Sequence, residues 1–123
     1  MGTGFKDLKV WQDAKQLAVD VYRLSESSGL AKDFGLRDQI RRAAVSVPSN
    51  IAEGDERDTD KDGVRFLYIA KGSLAELRTQ LEIAAEVGLI THTELAAREN
   101  DCIKIGKMLG SLIKARRSIT PRL

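Results

Sequence analysis

Two groups of basic residues are the strongest chemical signal in this sequence of 123 residues. The first group is Arg37, Arg41 and Arg42, and the second is Lys104, Lys107, Lys114, Arg116 and Arg117. Helical spacing would align many of them in rows, which attract phosphate groups and release counterions in proportion to the phosphates neutralised. The chain has only six aromatic residues to stack on bases. The pattern therefore predicts contacts with the RNA or DNA backbone and little sequence preference. The alternative is that these rows are ordinary solvated helix faces.

The charge is unevenly distributed along the chain. Residues 102–123 contain six basic residues and no acidic residue, which leaves 14 basic and 18 acidic residues in the remainder. A basic segment on an acidic body is typical of a protein with one surface for an anionic partner.

Residues that could support catalysis or bind a metal are few. His92 is the sole histidine and lies where a helix cap is expected, whereas the sole cysteine, Cys102, falls on an apolar helix face. Segment 58–63 has the alternating aspartates and the glycine of a calcium-binding loop, but Ile69 occupies the position of the bidentate glutamate. Carboxylates that favour a helix N-terminus explain this segment more simply. We expect a protein that is not an enzyme and that uses neither cofactor nor metal.

Length and composition predict one domain over residues 1–123, with a basic frayed tail from about residue 117 onward. A chain of this size buries roughly two-thirds of its unfolded surface and needs no disulfide to fold. No segment approaches the roughly 18 consecutive apolar residues of a membrane span. The opening MGTGFKDLKVW has no apolar run resembling a signal peptide, so we expect a cytoplasmic protein without membrane contact.

Four helices must position the basic rows. Apolar periodicity and capping residues predict helices over about 7–27, 33–56, 59–88 and 91–117. Pro48 lies inside the second, yet the apolar stripe keeps its phase on both sides of it. Because the connections are short, the expected fold is all-α, an antiparallel up-down-up-down four-helix bundle with the second helix kinked at Pro48.

Two features indicate self-association. The first and third helices are apolar over more than the roughly 100° stripe that one bundle core requires. Gly106 and Gly110 lie one turn apart in the fourth helix, where each glycine costs about 1 kcal/mol relative to alanine. Close approach by another subunit would explain these glycines, and so would tight packing inside one chain. We expect a homo-oligomer.

Segment 41–54, RRAAVSVPSNIAEG, resembles the hallmark of the 23S rRNA intervening-sequence protein family, also called four-helix bundle proteins. Segments 5–14 and 66–81 are similar to the family's opening and to its third helix, so the resemblance extends over roughly residues 5–114. Gly63 and Val64 stand where the family usually has glutamate and phenylalanine. The resemblance implies a homopentamer of antiparallel bundles.

The same resemblance implies partners and a set of polar positions. The related accessory proteins of diversity-generating retroelements share the bundle and the pentamer, which implies nucleic acid and a reverse transcriptase as partners. The family's polar positions include the basic pair Arg41 and Arg42. The family's other polar positions correspond to Ser49, Asn50, Glu53, Gly54, Arg57, Ser73 and Glu76. We expect this set to form either a buried network between helices two and three or a binding site.

The sequence therefore favours a non-enzymatic bundle, pentameric as the resemblance implies, that binds RNA or DNA through basic residues of helices two and four. A retroelement accessory role is one specific version of this hypothesis. The alternatives are a scaffold or protein-interaction module without nucleic-acid binding, and an enzyme that uses Asn50, Glu53 and Arg57.

Overall fold

The computed structural model describes residues 4–119, and the side chains of residues 4–117. Its four helices are α1 (Lys9–Ser27), α2 (Phe34–Asp55), α3 (Asp60–Glu86) and α4 (His92–Ile119). Short 3-10 turns precede α1 and α2, at Gly4–Asp7 and Gly29–Lys32. Residues 4–119 contain no strand. The all-helical fold with four helices is thus confirmed, while most of the predicted frayed tail lies outside the described residues.

Capping side chains fix where the helices begin. Asp33 accepts a hydrogen bond from the Leu36 amide at 3.1 Å, which starts α2. Thr59 accepts one from the Asp62 amide at 3.2 Å, which starts α3. At α4, Thr91 Oγ1 accepts from the Glu94 amide at 3.0 Å, and Glu94 Oε1 accepts from the Thr91 amide at 2.8 Å. These bonds satisfy amides that a helix start otherwise leaves unpaired.

The core consists of one apolar row from each helix. The predicted α3 seam is buried throughout: Leu67, Ala70, Leu74, Leu77, Leu81 and Ala84. In α4 the predicted Cys102, Ile105 and Leu109 are also buried. The next buried position is Ile113, and the predicted Leu112 is only half-buried against the core. The row therefore ends one residue later than its spacing indicated.

Pro48 lies inside α2, and the helix is continuous on both sides of it. The proline ring is buried, as are Ala44, Val47 and Ile51 of the predicted stripe. Ser46, two residues before the proline, uses its hydroxyl in a 2.8 Å hydrogen bond with Ser73 of α3. The proline is therefore accommodated within one helix that packs along its whole length.

The helices α2 and α3 pack tightly near the loop that joins them. Gly54 and Gly63 are both buried, and a Cβ added to Gly63 would lie 2.5 Å from the Gly54 carbonyl oxygen. A Cβ added to Gly54 would lie 2.8 Å from the Gly63 carbonyl oxygen. No larger side chain fits at either position without moving a backbone, which gives Gly63, a departure from the family pattern, a packing role.

At the opposite end, the two remaining loops are joined by their backbones. The Gly29 amide donates a 3.0 Å hydrogen bond to the Leu89 carbonyl. Gly88, which follows α3, has φ +81°, a left-handed conformation that favours glycine. The end of α3 is thereby terminated as predicted and tied to the turn that precedes α2.

Candidate nucleic-acid interface

Two of the three predicted α2 arginines already contact aromatic or polar groups of this chain. The Arg41 Nε donates a 2.7 Å hydrogen bond to Ser25 Oγ of α1, and its guanidinium lies 4.6 Å from the centre of the Tyr22 ring. The Arg37 guanidinium lies 4.8 Å from the ring centre of Phe34, in the same helix. Both arginines are half-buried. Arg41 therefore connects α2 to α1, whereas this contact of Arg37 stays within α2.

Arg42 differs from these two arginines. Its side chain is exposed and forms no hydrogen bond or ion pair with any residue in the described part of the chain. It lies on the solvent side of α2 and is the α2 arginine that remains available to an external anion.

Two of the predicted α4 residues lie beside carboxylates. Arg116 forms a 2.7 Å ion pair with Asp55 at the end of α2, and the two side chains are only 22% and 17% exposed. Lys104 lies 3.7 Å from Asp13 of α1, which also receives a 2.8 Å hydrogen bond from Lys9. The Arg116 pair therefore fastens α4 to α2, and the charge of Lys104 is partly compensated.

The remaining predicted α4 residues form a row on the solvent side of the helix. Lys107, Lys114 and Arg117 are exposed, and none of them forms an ion pair with a described residue. The Arg117 guanidinium donates a 3.0 Å hydrogen bond to the Tyr68 hydroxyl of α3. We call Lys107, Lys114 and Arg117 the outer α4 row. It spans about 15 Å along the axis, from ten residues at 1.5 Å each.

Part of the predicted polar network is present between α2 and α3. The hydroxyls of Ser46 and Ser73 lie 2.8 Å apart. Asn50 donates to the Ser46 carbonyl at 2.8 Å and to its hydroxyl at 3.0 Å. Ser46 thus links Asn50 to Ser73, although the residue was absent from the predicted set. Its place one turn before Asn50 was the available signal.

The other predicted polar positions lie outside this cluster. Glu53 and Arg57 form a 2.5 Å ion pair on the exposed side of α2 and the turn after it. Arg57 also lies 4.3 Å from the centre of the Phe66 ring. Ser49 and Glu76 are exposed. Gly54 packs against α3, whereas the other four positions are exposed to solvent. The predicted set therefore does not form one buried network.

The structure places the sole cysteine and the sole histidine in different surroundings. Cys102 is fully buried, and burial raises the pKa of its thiol to about 12, so it stays protonated at neutral pH. His92 is exposed in the first turn of α4. Among residues 4–119, no group of three or more histidine, cysteine, aspartate or glutamate side chains is placed to hold a metal ion. The aspartates of segment 58–62 instead surround the capped start of α3.

An apolar groove lies between α1 and α2. Its floor and walls include Val19, Tyr22, Val45 and Pro48, and Lys15, Arg23 and Glu26 stand at its rim. Tyr22 is 40% exposed, and the Arg41 guanidinium lies over its ring. In the described chain, no helix has the length and apolar character needed to cross a membrane.

Comparison with known proteins agrees with the resemblance in the sequence. Residues 6–111 match the family model of the 23S rRNA-intervening sequence protein. The fold is similar to the crystal structure of a protein of unknown function from the S23 ribosomal protein family of Bacteroides thetaiotaomicron, with a TM-score of 0.78 and 28% identity. That match covers 85% of this chain and 98% of the other. No curated protein matches. The chain belongs to the 23S rRNA-intervening sequence protein family.

Proposed function

We propose that this protein binds the sugar–phosphate backbone of RNA or DNA through the outer α4 row, as a homo-oligomer and without catalysis. The observation that carries the proposal is that Lys107, Lys114 and Arg117 form no ion pair with a described residue. The family's name, which refers to an intervening sequence in 23S rRNA, supports a role close to RNA.

The electrostatics of α4 favour a polyanion over a small anion. The helix carries no acidic residue after Asp101, so nothing on it repels a phosphate chain along the outer α4 row. Three cations at spacings of seven and three residues can each meet a different phosphate. Such contacts position a strand and carry no sequence information, which predicts weak discrimination between sequences.

A mobility-shift titration with single-stranded RNA across a salt series tests this proposal. The test variant replaces Lys107, Lys114 and Arg117 with glutamine. Its control replaces three exposed lysines at the ends of the bundle, Lys6, Lys32 and Lys61, so both variants lose the same charge. With a slope of about 0.7 per phosphate contact, the test variant should bind about 30-fold more weakly at about 200 mM salt.

The outcomes of this titration are distinct. Weaker binding of the test variant with near-normal binding of the control supports the outer α4 row. Equal losses in both variants would show that only net charge matters. Absence of binding by the unmodified protein at low salt would refute the nucleic-acid function itself and favour a scaffold.

The proposed homo-oligomer is supported by apolar surface that one chain leaves open. The α1–α2 groove presents Tyr22 and Val45, and α3 exposes Ile69 and Ile83 on its own outer side. Light scattering tests the assembly. We expect five times the 13.6 kDa of one chain, and a mass near 13.6 kDa would refute it.

We also propose that neighbouring helices run antiparallel and that α2 bends at Pro48. Contacts between helices support the first point, because residue numbers rise along one helix as they fall along its neighbour. Between α1 and α4 the pairs are Asp13 with Lys104 and Asp20 with Arg98. Between α2 and α3 they are Gly54 with Gly63 and Ser46 with Ser73. Between α3 and α4 they are Tyr68 with Arg117 and Arg78 with Glu99. The missing amide of Pro48 supports the second point, since it removes one helical hydrogen bond.

A scaffold role is the second candidate, and the apolar α1–α2 groove favours it. A groove with Val45 and Pro48 at its centre can accept an apolar side chain of another protein. Within the nucleic-acid hypothesis, a cytoplasmic retroelement accessory role would use this groove for a reverse transcriptase and the outer α4 row for its RNA. A gene for a reverse transcriptase beside a variable repeat would support that version.

A further inference from the structure

We propose that the nucleic-acid site is a groove between α3 and α4 that accepts a single strand, with Tyr68 stacking on an unpaired base. This inference rests on the proposed function and adds α3 residues to it. We define the α3–α4 groove by Tyr68, Lys71 and Gly72 of α3 together with Gly110, Lys114 and Arg117 of α4. Lys107 of the outer α4 row lies farther toward α1, where it borders a pocket with Lys9 and Val10. These α3 residues are not part of the basic rows that the sequence predicted. They are added to the site because the structure places them beside α4.

Charge along the sequence first points to this side of the bundle. Residues 63–75 of α3 contain no acidic residue and carry Arg65 and Lys71, and residues 102–123 likewise contain no acidic residue. The fold packs residues 63–75 against the described part of the second segment, which lies in α4. The Arg117–Tyr68 hydrogen bond of 3.0 Å joins them near the end of the described α4.

A second contact between α3 and α4, nearer the middle of both helices, shows which residues lie alongside each other between the two contacts. A Cβ added to Gly106 would lie 3.6 Å from Leu74 Cδ2, so α3 and α4 are in contact there. Between this contact and the Arg117–Tyr68 bond lie Lys71 of α3 and Lys114 of α4, both exposed. Lysines from two helices therefore border the same groove.

The floor of this groove is low, which lets a strand approach the helices. Gly72 is exposed, and a Cβ added there would meet nothing within 4 Å, as is true of Gly110. Gly72 follows Tyr68 by four residues, so both lie on the same side of α3. Gly110 follows Lys107 by three residues and precedes Lys114 by four, so it lies on the side of α4 that carries these lysines. Each contributes no side chain that would hold a phosphate away from the lysines.

Tyr68 would allow this groove to prefer a single strand over a duplex, because its ring can stack on an unpaired base. Its side chain is 45% exposed, and the bond from Arg117 holds its hydroxyl, which restrains the ring at the edge of the groove. Stacking on an aromatic ring requires a base that is not already stacked within a duplex, and it strengthens binding by about fivefold to 150-fold for each base. A duplex could use only the basic residues.

Other sides of the bundle offer a less favourable surface. Between α1 and α4, Asp13, Asp20 and Asp101 lie beside Lys104 and Arg98, so carboxylates there compensate the cations. Between α2 and α3, the exposed Glu53 and Glu76 would repel a phosphate chain. The α1–α2 groove is mainly apolar.

Fluorescence anisotropy with labelled oligo-U, oligo-dT and a duplex of equal length tests the inference. Tyr68→Leu removes the ring, and Tyr68→Phe keeps the ring while removing its bond to Arg117. Phe34→Leu is a matched control, because Phe34 is 64% exposed and also contacts an arginine, at the start of α2 and away from the α3–α4 groove. Lys71→Gln is compared with Lys32→Gln, which removes an exposed lysine elsewhere.

We expect single strands to bind at least about fivefold more tightly than the duplex, and Tyr68→Leu to abolish that difference while Tyr68→Phe and Phe34→Leu retain it. Lys71→Gln should lower the salt slope for single strands by about 0.7, with no change for Lys32→Gln. Equal losses in Tyr68→Leu and Phe34→Leu, or equal binding of duplex and single strand by the unmodified protein, would overturn this inference and leave the proposed function standing. Absence of binding by the unmodified protein would refute both.

Discussion

Replacement of Gly63 by alanine places one methyl group where α2 and α3 pack tightly. The new Cβ would lie 2.5 Å from the Gly54 carbonyl oxygen, whereas real Cβ contacts essentially never fall below 3.0 Å. The obstructing atom belongs to a helix backbone, so no side-chain rotation can relieve the overlap. The two helices must therefore separate by at least 0.5 Å near the loop that joins them.

The magnitude follows from two opposing effects. Overpacking a close contact costs about 1–3 kcal/mol, whereas alanine gains about 0.8–1 kcal/mol over glycine in helix propensity. The difference between these ranges is about 0–2 kcal/mol, and because a backbone atom cannot rotate away we expect the upper half: Gly63→Ala should lower the free energy of unfolding by about 1–2 kcal/mol. Gly72→Ala is the matched control, because Gly72 is an exposed α3 glycine with nothing within 4 Å of an added Cβ. It should raise the free energy by about 1 kcal/mol.

Urea unfolding followed by circular dichroism measures both variants against the unmodified protein. The expected order of stability is Gly72→Ala, unmodified protein, Gly63→Ala. If Gly63→Ala matched or exceeded the unmodified protein, the close approach of α2 and α3 would be refuted, along with the packing role assigned to both glycines.

Three further predictions concern the ends and the interior of the bundle. Asp55→Asn should lower the free energy of unfolding by about 1–2 kcal/mol, because it removes the carboxylate from a mostly buried ion pair with Arg116, while Glu53→Gln at an exposed pair should change it by less than about 0.5 kcal/mol. Thr91→Ala should cost about 1 kcal/mol in thermal unfolding, since α4 loses its cap, and an unchanged midpoint would contradict that role. Cys102 should react with a thiol reagent at pH 8 only after denaturation, and rapid labelling of the folded protein would contradict its burial. Because burial raises the pKa of this thiol from 9.0 to about 12, the free energy of unfolding should fall as the pH rises from 9 to 12.

Much of the fold could be predicted from the sequence because local signals agree with one another. The α3 seam, the caps at Asp33 and Thr59 and the stop at Gly88 each follow from a residue type at a fixed spacing. The close contact of Gly54 with Gly63 could not be predicted in the same way, because it depends on two helices meeting in space. Two glycines on opposite sides of one loop were the only signal for it.

The candidate site was less predictable, because spacing places a residue on a helix face and does not identify its neighbours. Arg41 and Arg116 have the same sequence signature as Lys114, yet the fold provides them with Ser25 and Asp55 as partners. An arginine near a neighbouring helix can turn toward that helix, and only the tertiary arrangement shows whether a partner is there. For the same reason, Tyr68 and Lys71 became candidates only after α3 and α4 were seen together.

The most direct test of the central claim is the salt dependence of RNA binding by the variant lacking the outer α4 row, Lys107, Lys114 and Arg117. Loss of three phosphate contacts should reduce the slope of log K against log salt by at least about 2, while the control at Lys6, Lys32 and Lys61 keeps the slope of the unmodified protein. Identical slopes in all three proteins would show that the outer α4 row does not contact nucleic acid.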